Sequence, residues 1–200
     1  MSGNGITQAR ESPELQQVRS INLMLFSCAN DNNQKYPDGK NSTEVFQKLI
    51  DGDYCSDPTV FYLPLPGKTK PIKGQKLKPE NVSFDVTSGI DSTSPDLLPT
   101  VFMTGYRVTY APSGTAAPII KPYPQYGTEP LSWSEWWNGK SERRTPPPGI
   151  GVAYKNNSAV FFKLVDAESG NGVVPHFISP DFKPDGRTYR QLTPDGVLPP

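Results

Sequence analysis

Few side chains in this sequence could do chemistry, and the single histidine limits the choice most. His176 lies beside Pro175 in a segment without a regular pattern, so a nucleophilic triad would depend on one isolated candidate base. Gly149 and Gly151 lack the third glycine of a dinucleotide-binding loop, and they precede a predicted strand where that loop precedes a helix. The sequence also lacks a Walker motif. We therefore expect no enzymatic activity and assign no catalytic or cofactor-binding residue.

Two groups of oxygen-bearing side chains are candidates for a calcium site. Asp91 and Asp96 have serine and threonine neighbours, and Asp166 and Glu168 are followed by Asn171. Calcium prefers such oxygen ligands, but neither group has the spacing of an EF-hand loop. Asp166 with Glu168 is also typical of an ordinary turn after a strand. We therefore assign no metal site.

The two cysteines, Cys28 and Cys55, are too few to form a zinc site by themselves. The sequence leaves two interpretations of them open. In an exported protein they would form one disulfide bond with each other, and otherwise they would be two buried free thiols.

Three tryptophans, Trp133, Trp136 and Trp137, lie close together in the segment 111–149, which contains eight prolines. Exposed tryptophans anchor partner proteins or stack on sugars, whereas buried ones fold an insertion back onto its own domain. The sequence leaves these interpretations open. If the three tryptophans are exposed, the insertion is a candidate surface for a receptor or a glycan.

Composition and charge exclude several classes of protein. The 23 prolines and 17 glycines among 200 residues exclude an all-helical bundle. Lys and Arg number 20, as do Asp and Glu, so no net charge attracts nucleic acid or an anionic membrane. Five lysines between 68 and 78 alternate with proline and glycine, which is typical of a solvated loop. No apolar run approaches the ~20 residues that span a bilayer.

The apolar pattern first predicts an amphipathic helix. It begins with Ser12 as the N-cap and Pro13 in the first turn, and it ends in the polar run 30–33. The side chains expected to face solvent are Gln17, Arg19, Asn22 and Asn30. The stripe expected to hold this helix on the domain consists of Leu15, Val18, Ile21 and Leu25.

A second, short helix follows. Asn41 is its predicted N-cap, and Glu44, three residues later, completes a pattern like a capping box. Gly52 is the predicted residue just past its end, where helices often place glycine.

Further along, the pattern changes to the alternation of apolar and polar residues that is typical of half-buried strands. The clearest case is a hairpin of 152–155 and 159–165, because asparagine in the turn 156–158 tolerates a left-handed backbone. The predicted strands before it are 82–87 and 102–110. Helices followed by strands predict an α+β fold, in which the N-terminal helix packs on an antiparallel sheet and long proline-rich loops connect the strands.

We divide the chain into a start segment or linker, 1–12, a head domain, 13–165, and an extended C-terminal tail, 166–200. The tail has little periodicity, and it contains Pro-Asp-Gly twice. We expect it to be pinned to the surface of the domain or to be partly mobile. The side chains that would pin it are Phe177, Ile178, Phe182 and Tyr189.

Four segments together resemble the type IV pilin-like family, in particular the bacterial pseudopilins. Residues 29–37 are similar to the exit of the family's long first helix, where an Asp-Asn-containing turn precedes Tyr-Pro. Residues 42–54 resemble its short second helix and the Gly-x-Tyr that follows. Residues 57–61, with a proline soon after, continue the match, and 152–162 resemble the terminal hairpin.

This resemblance implies a non-enzymatic structural subunit of a type IV pilus or of a type II secretion pseudopilus. In that family an apolar half of the first helix anchors the subunit in the inner membrane and then packs with other subunits in the filament. We expect the present sequence to be the head alone, in the periplasm or outside the cell, without that half. The alternative is a cell-surface binding or adhesion module that uses the insertion 133–137.

Overall fold

Helices precede strands along the chain, and the fold belongs to the α+β class that the sequence predicts. The computed structural model describes residues 13–65, 67–119, 149–163 and 173–198. The helices among them are α1 (Pro13–Asp31), α2 (Ser42–Asp51) and two short 3-10 helices, Pro58–Phe61 and Pro79–Asn81. The strands are β1 (Phe84–Ser88), β2 (Pro99–Met103), β3 (Tyr106–Val108), β4 (Ala116–Pro118), β5 (Gly149–Tyr154), β6 (Ala159–Lys163) and β7 (Arg190–Leu192).

Five of these strands form one sheet in the order β6-β5-β2-β1-β7, and each neighbouring pair is antiparallel. Val86 of β1 lies opposite Val101 of β2 on one side and Leu192 of β7 on the other. Strands β3 and β4 form a separate antiparallel pair. The described part of the chain therefore has an N-terminal helix and antiparallel sheets.

Helix α1 packs across β2, β5 and β6 through its apolar stripe. Val18 and Ile21 have no exposed surface, Leu25 is buried, and Leu15 is partly buried against the same core. Burying a side chain of this size stabilises a fold by roughly 1.5–3 kcal/mol, so the stripe is what fixes the helix to the sheet.

Asn22 does not face solvent, and that prediction is wrong. It is 2% exposed. Its Nδ2 donates to the carbonyl oxygen of Tyr154 at 3.1 Å and to Oδ1 of Asn157 at 3.0 Å. Its Oδ1 accepts a hydrogen bond from the hydroxyl of Thr100. Asn22 is buried because the β5–β6 turn and β2 supply polar partners that the helix sequence alone does not reveal.

Capping begins helix α2 as predicted, but its end differs in detail. Oδ1 of Asn41 accepts from the backbone N–H of Glu44 at 2.8 Å, while Oε2 of Glu44 accepts from the N–H of Lys40 at 2.9 Å. Gly52 has an ordinary φ of −91°, and the left-handed residue is Asp53, with φ of 61°. Glycine at 52 leaves room for the Tyr54 ring, because a Cβ there would lie 2.8 Å from that ring and would force it to shift.

The strand predictions are right in position but not in burial or length. All five residues of β1 are buried, including two polar ones. Oδ2 of Asp85 accepts from the Gln191 amide, and the Thr87 hydroxyl donates to the carbonyl oxygen of Pro99. The predicted strand 102–110 is two strands, since the backbone at Gly105 adopts φ of 98° and leaves the sheet. The hairpin of β5 and β6 forms as predicted, with Asn157 at φ of 62°.

The segment 173–198 is held on the domain by the side chains expected to pin it, but these side chains enter the core, whereas we expected a surface attachment. The four side chains expected to pin it are all buried, and two of them, Phe177 and Ile178, have no exposed surface. Strand β7 then extends the sheet beside β1. Three residues between turn sequences give too short a pattern for sequence analysis to detect this strand.

Helix α2 holds the end of the described chain in place. After β7 the backbone folds back, and the N–H of Leu198 donates to the carbonyl oxygen of Gln191 at 2.9 Å. The N–H of Ser42 donates to the carbonyl oxygen of Thr193 at 2.9 Å, and the Thr43 hydroxyl donates to that of Pro194 at 2.8 Å. Strand β7 is therefore hydrogen-bonded to β1, and the two residues after it are hydrogen-bonded to the start of α2.

Candidate functional site

The outer side of α1 carries two exposed apolar side chains, Leu23 and Phe26, whose exposed fractions are 56% and 37%. They are three positions apart and so lie on adjacent turns of the helix. Leu23 lies opposite the buried stripe, and Gln16, Ser27 and Asn30 are also exposed. The helix therefore presents a small apolar patch, bordered by polar residues, on the side away from its own sheet.

Two buried oxygens near the N-terminal end of α1, Oε2 of Glu14 and Oε1 of Gln17, accept no hydrogen bond within the described residues. Gln17 uses its Nε2 instead to hold the first 3-10 helix and the residue that follows it. It donates to the carbonyl oxygens of Val60 at 3.2 Å and Tyr62 at 2.8 Å. Buried acceptors are normally paired, so these two oxygens can accept hydrogen bonds from further donors.

Both cysteines, Cys28 in the last turns of α1 and Cys55 after α2, are buried free thiols. Burial raises the pKa of each thiol. The Nδ2 of Asn32 lies 3.6 Å from the Cys28 sulfur, and the Cys55 thiol donates to the carbonyl oxygen of Asp57 at 3.3 Å. The structure therefore has the two thiols of the second interpretation, and the disulfide bond of the first is not formed in it.

Gln191 of β7 joins three strands through one side-chain amide. Its Nε2 donates to Oδ2 of Asp85 in β1 at 2.6 Å and to the carbonyl oxygen of Tyr106 in β3 at 2.5 Å. Its Oε1 accepts from the N–H of Val108 at 3.0 Å. The amide thus supplies β3 with the partners that a neighbouring strand would give. Sequence analysis missed Gln191, because an isolated glutamine carries no pattern.

Asp85 is the most deeply buried carboxylate of the described residues, with no exposed surface. Burial raises its pKa to about 7, although hydrogen bonds from Thr104 and Gln191 and the charge of Lys68 oppose the rise. Lys68 is half-buried at the start of the run that was predicted to be a solvated loop, and burial lowers its pKa. Its Nζ donates to the carbonyl oxygen of Pro79 at 3.0 Å.

The first calcium candidate is occupied by protein cations. Oδ1 of Asp91 lies 2.9 Å from Nη1 of Arg187 and accepts from Thr93, and the guanidinium holds the pKa of this carboxyl well below its usual range. Oδ1 of Asp96 lies 3.2 Å from Nζ of Lys155. Within the described ranges, no three His, Cys, Asp or Glu side chains gather as a metal site would require. Residues 166, 168 and 171 lie outside those ranges.

His176 is exposed and has a left-handed backbone with φ of 55°. Trp133, Trp136 and Trp137 lie outside the described residues, so their contact with a partner or glycan stays a prediction. None of the helices in the described part of the chain has the length and apolar content needed to cross a membrane.

Comparisons with protein-family models, with curated proteins and with solved structures find no match to this chain. Its function must therefore be argued from the described residues themselves.

Proposed function

We propose that this chain is the head of a non-enzymatic structural subunit of a type IV pilus or of a type II secretion pseudopilus. In this proposal it belongs to the cell envelope, and its partners are other subunits of the same filament. A separate N-terminal helix segment would anchor it in the inner membrane before assembly. The observation that carries the proposal is the two-sided character of α1.

One side of α1 holds the head together, and the other is free for a neighbour. The buried stripe binds the helix to the antiparallel sheet, while Leu23 and Phe26 remain exposed. A filament built around subunit helices needs both sides, because each helix must hold its own head and also pack on its neighbours. Burial of the exposed 56% of Leu23 by a neighbour would contribute about half of the roughly 1.5–3 kcal/mol that full burial of such a side chain gives, for each subunit in the filament.

Among the described residues, Oε2 of Glu14 and Oε1 of Gln17 accept no hydrogen bond, and this also supports the function, since they lie at the end of α1 from which the membrane segment of such a subunit extends. Donors from that segment or from an adjacent subunit would satisfy them. Each acceptor that is left unpaired in a free head would cost about 1–3 kcal/mol, which assembly would recover.

The first test is the native coding sequence upstream of residue 6. We expect it to encode about 20 apolar residues after a short basic leader, with an acidic residue near the start of the apolar stretch. A native reading frame that starts at Met1 would contradict the proposal.

The second test uses the complete native gene in the source cell. Electron microscopy should find filaments that an antibody against this head labels. They would lie on the cell surface for a pilus, or span the periplasm for a pseudopilus when the gene is overexpressed. Leu23→Glu should abolish them, because a carboxylate cannot be buried at a helix interface without a partner. Ile72→Glu is the matched control, since Ile72 is 61% exposed in the lysine-rich loop and should tolerate the same change. Filaments that form equally well with Leu23→Glu would contradict assembly through this face.

A further inference from the structure

A cleft of about 290 Å³ lies between β3 with its following residues and the segment that leads into β7. Such a volume is near the lower limit of ligand pockets, so it fits a small molecule. The residues that line it include two tyrosines and three arginines, namely Tyr110, Tyr189, Arg107, Arg187 and Arg190.

Hydrogen bonds hold the walls of this cleft in place. Behind it, the Gln191 amide joins β3 to β7. The hydroxyl of Tyr110 lies 2.8 Å from that of Thr87, and the hydroxyl of Tyr189 donates to Oδ2 of Asp185 at 2.6 Å. A site formed in advance loses little conformational entropy when a ligand binds.

The three arginines are not equivalent. Arg187 is neutralised, because its guanidinium lies 2.9 Å from Oδ1 of Asp91 and 3.4 Å from Oδ2 of Asp185. Arg107 and Arg190 are exposed, and no carboxylate of the described residues forms an ion pair with either. With the two carboxylates of Arg187 included, the three arginines leave a net charge of +1. Asp85, which is bonded to Gln191 behind the cleft and has a pKa raised to about 7 by burial, offsets part of that charge near neutral pH. The groups that would attract an anion are therefore Arg107 and Arg190.

We infer that this cleft binds a small oxyanion-bearing ligand of about monosaccharide size, with Arg107 and Arg190 as its anion-binding residues. Guanidinium groups offer paired N–H donors that match carboxylate, sulfate and phosphate oxygens. The half-buried ring of Tyr110 provides an apolar wall for the rest of the ligand. This site is separate from the outer side of α1, so its test does not depend on the filament proposal.

The test is titration of the purified chain with glucose 6-phosphate, glucuronate, inorganic phosphate and glucose, followed by NMR or calorimetry. The acidic sugars should bind, and glucose should bind at least tenfold more weakly. Arg107→Gln and Arg190→Gln should each weaken binding about 10- to 100-fold, since each removes a charged hydrogen-bonding group. Lys73→Gln, which removes an exposed charge from the lysine-rich loop, should leave binding unchanged.

The arms of the experiment separate the sources of the oxyanion. Equal affinity for inorganic phosphate and glucose 6-phosphate would assign the ligand as a simple anion, and tighter binding of the acidic sugars would assign a sugar acid or ester. Absence of binding by all four probes at 10 mM-scale concentrations would overturn the inference. An equal loss of affinity in Lys73→Gln would overturn it too, because binding would then follow total charge and not the cleft.

Discussion

The side-chain amide of Gln191 and the carboxylate of Asp85 are hydrogen-bonded across β7 and β1, with 2.6 Å between Nε2 and Oδ2. Both residues are buried. This bond lies at the centre of the hydrogen-bond network that fixes the C-terminal strand, and two of the predictions below depend on it.

The contribution of Asp85 to the unfolding free energy of the domain should fall as the pH rises from about 4 to 7. The pKa of this carboxyl is raised to about 7 in the folded state, while an unfolded Asp has a value near ~3.9. Between these values the folded chain binds a proton that the unfolded chain has lost, so raising the pH favours unfolding. Over the whole window the loss is on the order of 4 kcal/mol.

Urea unfolding at pH 5 and pH 8 measures this effect, and the comparison with Asp85→Asn isolates it from other groups. The variant should lose about 2–3 kcal/mol less than the original chain between the two pH values. Asp181→Asn, at an exposed position, is the control and should keep the original slope. Identical slopes for all three proteins would rule out Asp85 as the source.

Replacement of Gln191 by leucine should destabilise the domain by about 2–4 kcal/mol. Leucine has a similar size but leaves the N–H of Val108, the carbonyl of Tyr106 and the Asp85 carboxyl without their partner. Gln75→Leu, at an exposed loop position, should change the unfolding free energy by less than about 0.5 kcal/mol. Equal effects of the two substitutions in thermal or urea unfolding would show that the network contributes nothing specific.

Truncating a side chain should destabilise the head much more on the buried side of α1 than on its outer side. Ile21→Ala removes buried methyl groups from the stripe and should cost about 2–5 kcal/mol of unfolding free energy. Leu23→Ala should cost less than about 0.5 kcal/mol in the isolated head, because its side chain is more than half exposed. Chemical denaturation of both variants checks this, and a large loss with Leu23→Ala would mean that Leu23 is needed within the head itself.

The thiols of Cys28 and Cys55 should be unreactive in the folded protein and reactive after unfolding. Burial raises the pKa of both, so less thiolate is present near pH 7.5, and access to each sulfur is limited. Without a reductant, titration with an aromatic disulfide reagent should detect two thiols per chain in the protein unfolded by urea. In the folded protein it should detect far fewer than two. Absence of thiols in urea would instead establish the disulfide bond between Cys28 and Cys55.

Local signals account for what could be predicted from the sequence. The stripe of α1, the Asn41 cap of α2 and the Asn157 turn each depend on residues within a few positions of one another. Asn22, Asp85 and Gln191 were not predictable in this way, because each is buried by partners that are distant in sequence. The pair Asp85 and Gln191, for example, is separated by 106 residues.

Of the two candidate surfaces, one could be predicted from local sequence and the other could not. The helical pattern of α1 identifies its buried stripe and therefore also its outer side. The cleft between β3 and the segment before β7 brings Arg107 together with Arg190, and neither residue lies in a motif. Only the pairing of β7 with β1 and the bonds of Gln191 to β3 place these two side chains in one cleft.

The attachment of the last strand to β1 and α2 has a consequence for biosynthesis. The ribosome releases residues 190–198 more than a hundred residues after Asp85, yet Ser42, Thr43 and Asp85 all bond to partners within that stretch. The nascent chain therefore cannot complete these contacts until residues 190–198 have been made, and contacts so distant in sequence form slowly. A chain whose fold stays incomplete for that time can be recognised by targeting factors and chaperones before the sheet closes.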